Sequence, residues 1–136
     1  MRRSNIQKGE EVLRGPPPWT FIRKSLKGES ITLIDNGKYK RDFLFVKDLV
    51  DVISLAINKK VSGTFNVGTG KEYSIKDVAM MVKKFIPKMT IKNVKGVDEV
   101  NQGAIDIRKL KEEFKFEPRY SLESGIKETI EWYESN

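Results

Sequence analysis

The stretch Arg41-Asp42-Phe43-Leu44-Phe45-Val46-Lys47-Asp48-Leu49-Val50-Asp51-Val52-Ile53 reads as a short strand running straight into an amphipathic helix. Arg41 to Val46 is the predicted strand. After its first two residues it is apolar on both faces, the pattern of a strand buried on both sides. Asp48 is placed to cap the helix. Leu49, Val50, Ile53, Ala56 and Ile57 give that helix one apolar face. Arg41 stands at the entrance, next to a water-poor surface. A guanidinium there favours a bidentate oxyanion partner. A salt bridge to a local carboxylate is the other reading, and the residues alone leave both open.

The flanks alternate between the same two element types. Upstream, Pro16-Pro17-Pro18 is an extended entry. Trp19, Ile22 and Leu26 then recur at helical spacing as far as Gly28. Ser30 to Ile34 is a β-branched strand, and Asp35-Asn36-Gly37-Lys38 is a turn. Downstream, Thr64 to Val67 reads as a strand ended by Gly68-Thr69-Gly70. Ser74-Ile75-Lys76-Asp77 has the form of a capping box ahead of Val78, Ala79, Val82, Phe85 and Ile86, with Pro87 as the stop. Met89 to Val94 is a further strand. Asp106 caps a short helix through Leu110 and Phe114, and Ser121 opens a last helix with Leu122, Ile126, Ile130 and Tyr133 on one face. The class is α/β, with mixed short strands and amphipathic helices.

A chain of 136 residues is sized for one domain, taken here as a single region over 1–136. No apolar run approaches membrane-spanning length, and no signal-peptide core follows the N-terminus. There is no cysteine and no histidine, which excludes thiolate sites, disulfides and any Ser-His triad. A cytoplasmic location fits. The net charge is +7, with its positive excess in residues 1–100. An acidic partner would meet that part, although a lysine-rich solvated surface gives the same count. A nucleic-acid partner is not expected, because basic residues and aromatics do not interleave and no helix-turn-helix or RNA module is present. Gly68-Thr69-Gly70 lacks the third glycine of a dinucleotide fingerprint and the Gly-Lys-Ser/Thr of a P-loop, so it reads as a strand-ending turn. Asp42, Asp48 and Asp51 fall on a strand-to-helix transition and point in different directions, against a paired-carboxylate site.

Several segments, in order, resemble the NAD-dependent nucleotide-sugar epimerase/dehydratase family, the extended short-chain dehydrogenases. They are Arg3-Ser4-Asn5-Ile6, Leu26 to Gly37, Arg41-Asp42-Phe43 with Val46-Lys47-Asp48-Leu49, Phe65-Asn66-Val67-Gly68-Thr69-Gly70, Asp106-Ile107-Arg108-Lys109-Leu110, and Pro118 with Ser121 to Tyr133. The resemblance implies the C-terminal substrate-binding part of such an enzyme, a truncated member without its N-terminal Rossmann half. The glycine-rich turn and the Tyr-x-x-x-Lys pair are not found in this sequence. The implied function is nucleotide-sugar binding, UDP-sugar foremost, not catalytically complete alone. A non-catalytic interaction module derived from the family is the alternative. No cofactor is expected in this chain alone, while NAD is implied for the complete family enzyme. The resemblance also assigns residues. Arg41 matches the arginine on the substrate diphosphate, and Asn5 and Asn66 match asparagines near that phosphate. Thr32 and Ile34 lie where the strand passes the nucleotide base. Lys95 stands near the place of a second family arginine. Tyr-Gly-Pro after Asn5-Ile6 is replaced by Gln7-Lys8-Gly9. Apolar surface around residues 41–57 is expected to be bare, predicting self-association or a partner chain carrying a Rossmann half.

Overall fold

The structure is a computed structural model and describes residues 17–96 and 101–136. Helix α1 spans Trp19–Leu26, strand β1 Ile31–Ile34 and strand β2 Lys40–Arg41, with a short 3-10 turn at Asp35–Gly37 between the strands. Helix α2 spans Val46–Lys59, β3 Tyr73–Ser74, α3 Ile75–Phe85, β4 Ile91–Val94, α4 Arg108–Phe114 and α5 Leu122–Ser135. No helix among the described residues is long and apolar enough to cross a membrane.

The strands form two pairs. β1 and β4 are parallel, with Ile31 opposite Ile91 and Ile34 opposite Val94. β2 and β3 are antiparallel, with Arg41 opposite Tyr73. The alternating burial of β1 sends Ile31 and Leu33 inward. There they meet Phe21 and Ile22 of α1, Val78, Ala79 and Val82 of α3, and Ile126 and Ile130 of α5. On α3 and α5 residues three and four apart supply these contacts, as the apolar stripe of an amphipathic helix should. A second cluster joins Val52 of α2 to Ile107, Leu110, Phe114 and Phe116.

The expected fold class is corrected here. Parallel strands with helices packed over them are the arrangement of Rossmann-type α/β folds, so the chain is not set apart as a region without Rossmann character. Two expected strands are also absent. Arg41 to Val46 is not a strand: only Lys40 and Arg41 pair, and α2 begins at Val46. A strand needs a ladder, and residues 42–45 have no neighbour to pair with among the described residues. Nor is the segment buried on both sides. Phe43 packs at the edge of the first cluster and Leu44 at the edge of the second. The stretch is a half-buried spine between two cores. Thr64 to Val67 likewise carries no strand, although Phe65 and Val67 pack against the second cluster.

Local capping signals are realised where both partners lie close in sequence. The Ser74 Oγ accepts from the Asp77 amide at 3.0 Å and Asp77 accepts from the Ser74 amide at 3.1 Å, a complete capping box on α3. The Ser121 Oγ accepts from the Ser124 amide at 3.0 Å at the start of α5. Asp48 behaves differently. The residue ahead of α2 is Phe45, whose side chain makes no capping bond. Asp48 lies inside the first turn, fully buried. It accepts from the backbone amides of Arg119 at 2.9 Å and Tyr120 at 3.2 Å.

Candidate functional site

Arg41 lines a hollow of about 420 Å³ between the 41–45 spine, α5 and the start of α1. Aromatic rings dominate its wall. Phe45 and Tyr120 have their centroids 4.7 Å apart at 53°, a tilted pair. Trp19 closes one side and Gln102 contributes an amide. Gly125 lets α5 approach closely, since a Cβ there would lie 3.0 Å from the Phe45 ring. A guanidinium beside aromatic faces is suited to a ligand that joins an anionic group to a flat or sugar-like body.

The backbone under Arg41 is held from two sides. Residue 41 pairs with Tyr73 and bridges to Gly103. The next residue, Asp42, is tied to the Gly68-Thr69-Gly70 turn. Its Oδ1 accepts from the Thr69 amide at 3.0 Å and the Thr69 hydroxyl at 2.6 Å. Its Oδ2 accepts from the Gly70 amide at 2.8 Å and the Ile105 amide at 3.2 Å. The three acidic residues of the stretch do point in different directions: Asp42 to that turn, Asp48 to the 119–120 backbone, and Asp51 to the Arg119 guanidinium at 2.7 Å.

The other predicted site residues are dispersed. Asn66 is exposed and lines a separate depression with Asp106, Arg108 and Lys109. There the Arg108 guanidinium grips Asp106 in a fork, Nε to Oδ1 at 3.0 Å and Nη2 to Oδ2 at 2.7 Å. That grip holds the Asp106 carboxyl down at about 2. Thr32 and Ile34 lie on the outward positions of β1, and Lys95 follows β4. They share the parallel pair, not the Arg41 hollow. Beside them the Asp35 carboxylate accepts from the Gly96 amide and the Tyr39 hydroxyl, each at 3.0 Å. These two bonds lower its pKa. Asn5 lies outside the described residues. Sequence reasoning missed the anchoring carboxylate Asp42 and the ring wall of Phe45 and Tyr120. The signal for Asp42 was its place beside Arg41; nothing local tied it to Gly68-Thr69-Gly70.

The family model described as GDP-mannose 4,6 dehydratase matches residues 18–129. A UDP-N-acetyl-alpha-D-glucosaminuronate decarboxylase of Bacillus cytotoxicus is 34% identical over 122 residues, covering 83% of this chain and 38% of the relative. The crystal structure of a dTDP-glucose 4,6-dehydratase from Bacillus anthracis in complex with NAD matches with a TM-score of 0.76. Its sequence identity is 30%, over 86% of this chain and 38% of that one. A UDP-glucose 4-epimerase of Thermotoga maritima with UDP-glucose matches with a TM-score of 0.74 and 29% identity, over 85% of this chain and 38% of that one. The chain therefore spans under two fifths of the length of these relatives.

These matches correct several expectations. The family model runs through nearly all of the sequence, so the description as only a C-terminal portion is withdrawn, and "truncated" with it. Reading the chain as catalytically incomplete, or as a binding-only module, rested on motifs not found within 136 residues. Such an absence says nothing of the protein's activity, and that reading is overturned by the match. Assigning NAD to another chain is withdrawn on the same ground. A partner chain carrying a Rossmann half is not indicated.

Proposed function

The chain belongs to the GDP-mannose 4,6 dehydratase family, and from that premise we propose that the protein carries out NAD-dependent conversion of a nucleotide-sugar, an epimerisation or dehydration, with Arg41 holding the substrate diphosphate. The observation that carries the reading is Arg41 on the wall of an aromatic-lined hollow of about 420 Å³. A diphosphate presents paired oxyanions that match the guanidinium fork, and neighbouring apolar surface strengthens such charge-assisted bonds. The rings of Phe45 and Tyr120 offer faces to the organic part of the ligand and keep water from it.

Thr32, Ile34 and Lys95 belong to the same proposal as residues along the nucleotide, Lys95 as a second cation. Asn5 is proposed as a hydrogen-bond donor to the phosphate. Asn66 opens into a different depression and has the weakest link to the Arg41 hollow. NAD is the redox group of this chemistry. The Gly68-Thr69-Gly70 turn does not fit its pyrophosphate, because Asp42 already fills those amides. The residues named here act on the substrate alone. The cytoplasm, where nucleotide-sugars and NAD are both available, is the proposed place of action.

The test is titration of the protein with UDP-, dTDP- and GDP-sugars by calorimetry, together with product analysis by NMR in the presence of NAD. Arg41→Ala is expected to weaken binding of the preferred nucleotide-sugar by about tenfold or more, the loss of one charge-assisted contact of ~1.5–3 kcal/mol. Unchanged affinity in that variant would overturn the assignment. Absence of turnover with all three sugar classes would overturn the proposed activity.

A further inference from the structure

We propose that Asp42 is a positioning residue for the diphosphate site: its carboxylate, locked onto the Gly68-Thr69-Gly70 turn and Ile105, sets where Arg41 meets the ligand. This deepens the preceding proposal and rests on it for the role of Arg41.

The geometry is that of a built anchor. Four donors from two remote segments converge on one carboxylate: the Thr69 amide, the Thr69 hydroxyl, the Gly70 amide and the Ile105 amide, at 2.6–3.2 Å. Only an ionised carboxylate has the acceptor capacity for all four, since a side-chain amide offers one oxygen and brings two N–H donors of its own. The turn is shaped for this approach. A Cβ on Gly68 would lie 3.0 Å from the Asp42 Oδ2 and 2.9 Å from the Ile105 Cβ, so a side chain there would force the turn, the carboxylate or Ile105 to shift.

The anchor matters for Arg41 because the surrounding backbone offers so little other support. β2 is two residues long, and Arg41 is its last. From 42 to 45 no ladder holds the chain among the described residues. The Asp42 side chain replaces the ladder one residue beyond Arg41. It joins the turn at 68–70 to the segment at 105, close to where Gly103 bridges Arg41 itself. Freed from this tie, the chain beyond Arg41 is held only by the pairing of residue 41 with Tyr73 and Gly103, and a guanidinium displaced by about an ångström loses bidentate geometry. The same bonds show why the glycine turn takes no external phosphate: its anion is Asp42.

The experiment is a double-mutant cycle on the full chain, read by calorimetric titration with UDP, dTDP and GDP, taking the tightest of the three as probe. Asp42→Asn is expected to weaken the probe about tenfold. In the Arg41→Ala background the same change is expected to add less than about twofold, because the two residues act through one contact. Thr69→Val, which removes the 2.6 Å hydroxyl bond and the Lys71 amide's bond to the same oxygen but leaves the three amide donors on Asp42, is expected to weaken binding by about threefold. It carries the test if Asp42→Asn does not fold. Full affinity in Asp42→Asn, or in Thr69→Val where the former fails to fold, together with weakened binding in Arg41→Ala, overturns the positioning role and leaves the diphosphate site standing. Equal losses from Asp42→Asn with and without Arg41 also overturn it, since a general structural effect would be additive. Full affinity in Arg41→Ala overturns the diphosphate assignment, and the positioning role falls with it.

Discussion

Helices α2 and α3 carry similar amphipathic patterns and are held in different ways. α3 is held by its apolar face: Val78, Ala79 and Val82 are all fully buried in the first cluster. α2 is held by a mixed face, in which carboxylates sit among apolar residues. Asp48 is fully buried and grips two backbone amides, Asp51 binds Arg119, and the Lys59 Nζ donates to the Glu113 carbonyl at 3.0 Å. Val52, with Leu55 and Ala56, makes the apolar contact to the second cluster. The opposite side of the helix is apolar and open: Val46 is 60% exposed, Val50 57%, Ile53 51% and Ile57 71%. A periodic apolar stripe therefore states that a face can be buried, and does not state that this face is what fixes the helix. On α2 carboxylates share in the fixing, which a hydrophobicity pattern does not register.

The largest effect expected from breaking this contrast is at Asp48. Asp48→Ala removes the acceptor from two amides in a buried position and should destabilise the fold by about 3 kcal/mol, from ~1–3 kcal/mol per orphaned donor. Urea denaturation followed by circular dichroism measures it. A loss below about 1 kcal/mol would mean that the 119–120 backbone reaches water and that α2 is held by the Val52 cluster and its remaining polar contacts. Val82→Ala is the matching cut on α3. It deletes two buried methyl groups from a site with no exposure and should cost about 2 kcal/mol, transfer plus cavity. The two numbers together place a polar anchor and an apolar one on one scale.

Ser74→Ala comes next. It breaks the capping box by leaving the Asp77 amide without its acceptor, for about 1 kcal/mol. Because α3 is also held by three buried side chains, the loss should appear as fraying of its first turn, read by faster amide exchange near Lys76 and Asp77, while exchange near Val82 stays slow. Equal acceleration along the whole helix would show that the cap, and not the buried face, sets its stability.

The same contrast explains what the sequence made legible. The Ser74–Asp77 box and the Ser121 start of α5 were readable because donor and acceptor are three residues apart. The buried stripes of α3 and α5 were readable because periodicity and burial agree there. The segments 42–46 and 64–67 were misread as strands because their composition suits a strand, while a strand also needs a ladder partner that composition does not name. Asp48 was misread as a cap because its true partners, the amides of Arg119 and Tyr120, lie 71 and 72 residues away. The anchoring role of Asp42 was not legible for the same reason, its donors being 27, 28 and 63 residues distant. At the candidate site, Arg41 could be singled out by its setting. Its ring wall could not, because Phe45 and Tyr120 lie far apart in sequence and meet only in the folded chain.

The smallest expected effect is the sharpest test of the contrast. Ile53→Ser places a hydroxyl at a position half open to solvent on the outer face of α2. If Asp48 and Val52 hold the helix, the change removes little buried area and introduces no unpaired group, so stability should stay within about 0.5 kcal/mol of the parent protein. A matched Val78→Ser on α3 buries that hydroxyl among apolar neighbours and should cost several times more. If instead Ile53→Ser destabilises as Val78→Ser does, the outer face of α2 is covered in solution, and the two helices are held alike after all. Urea midpoints of the two variants at one protein concentration decide between these outcomes, since both substitutions shorten a β-branched aliphatic side chain to the same hydroxymethyl group.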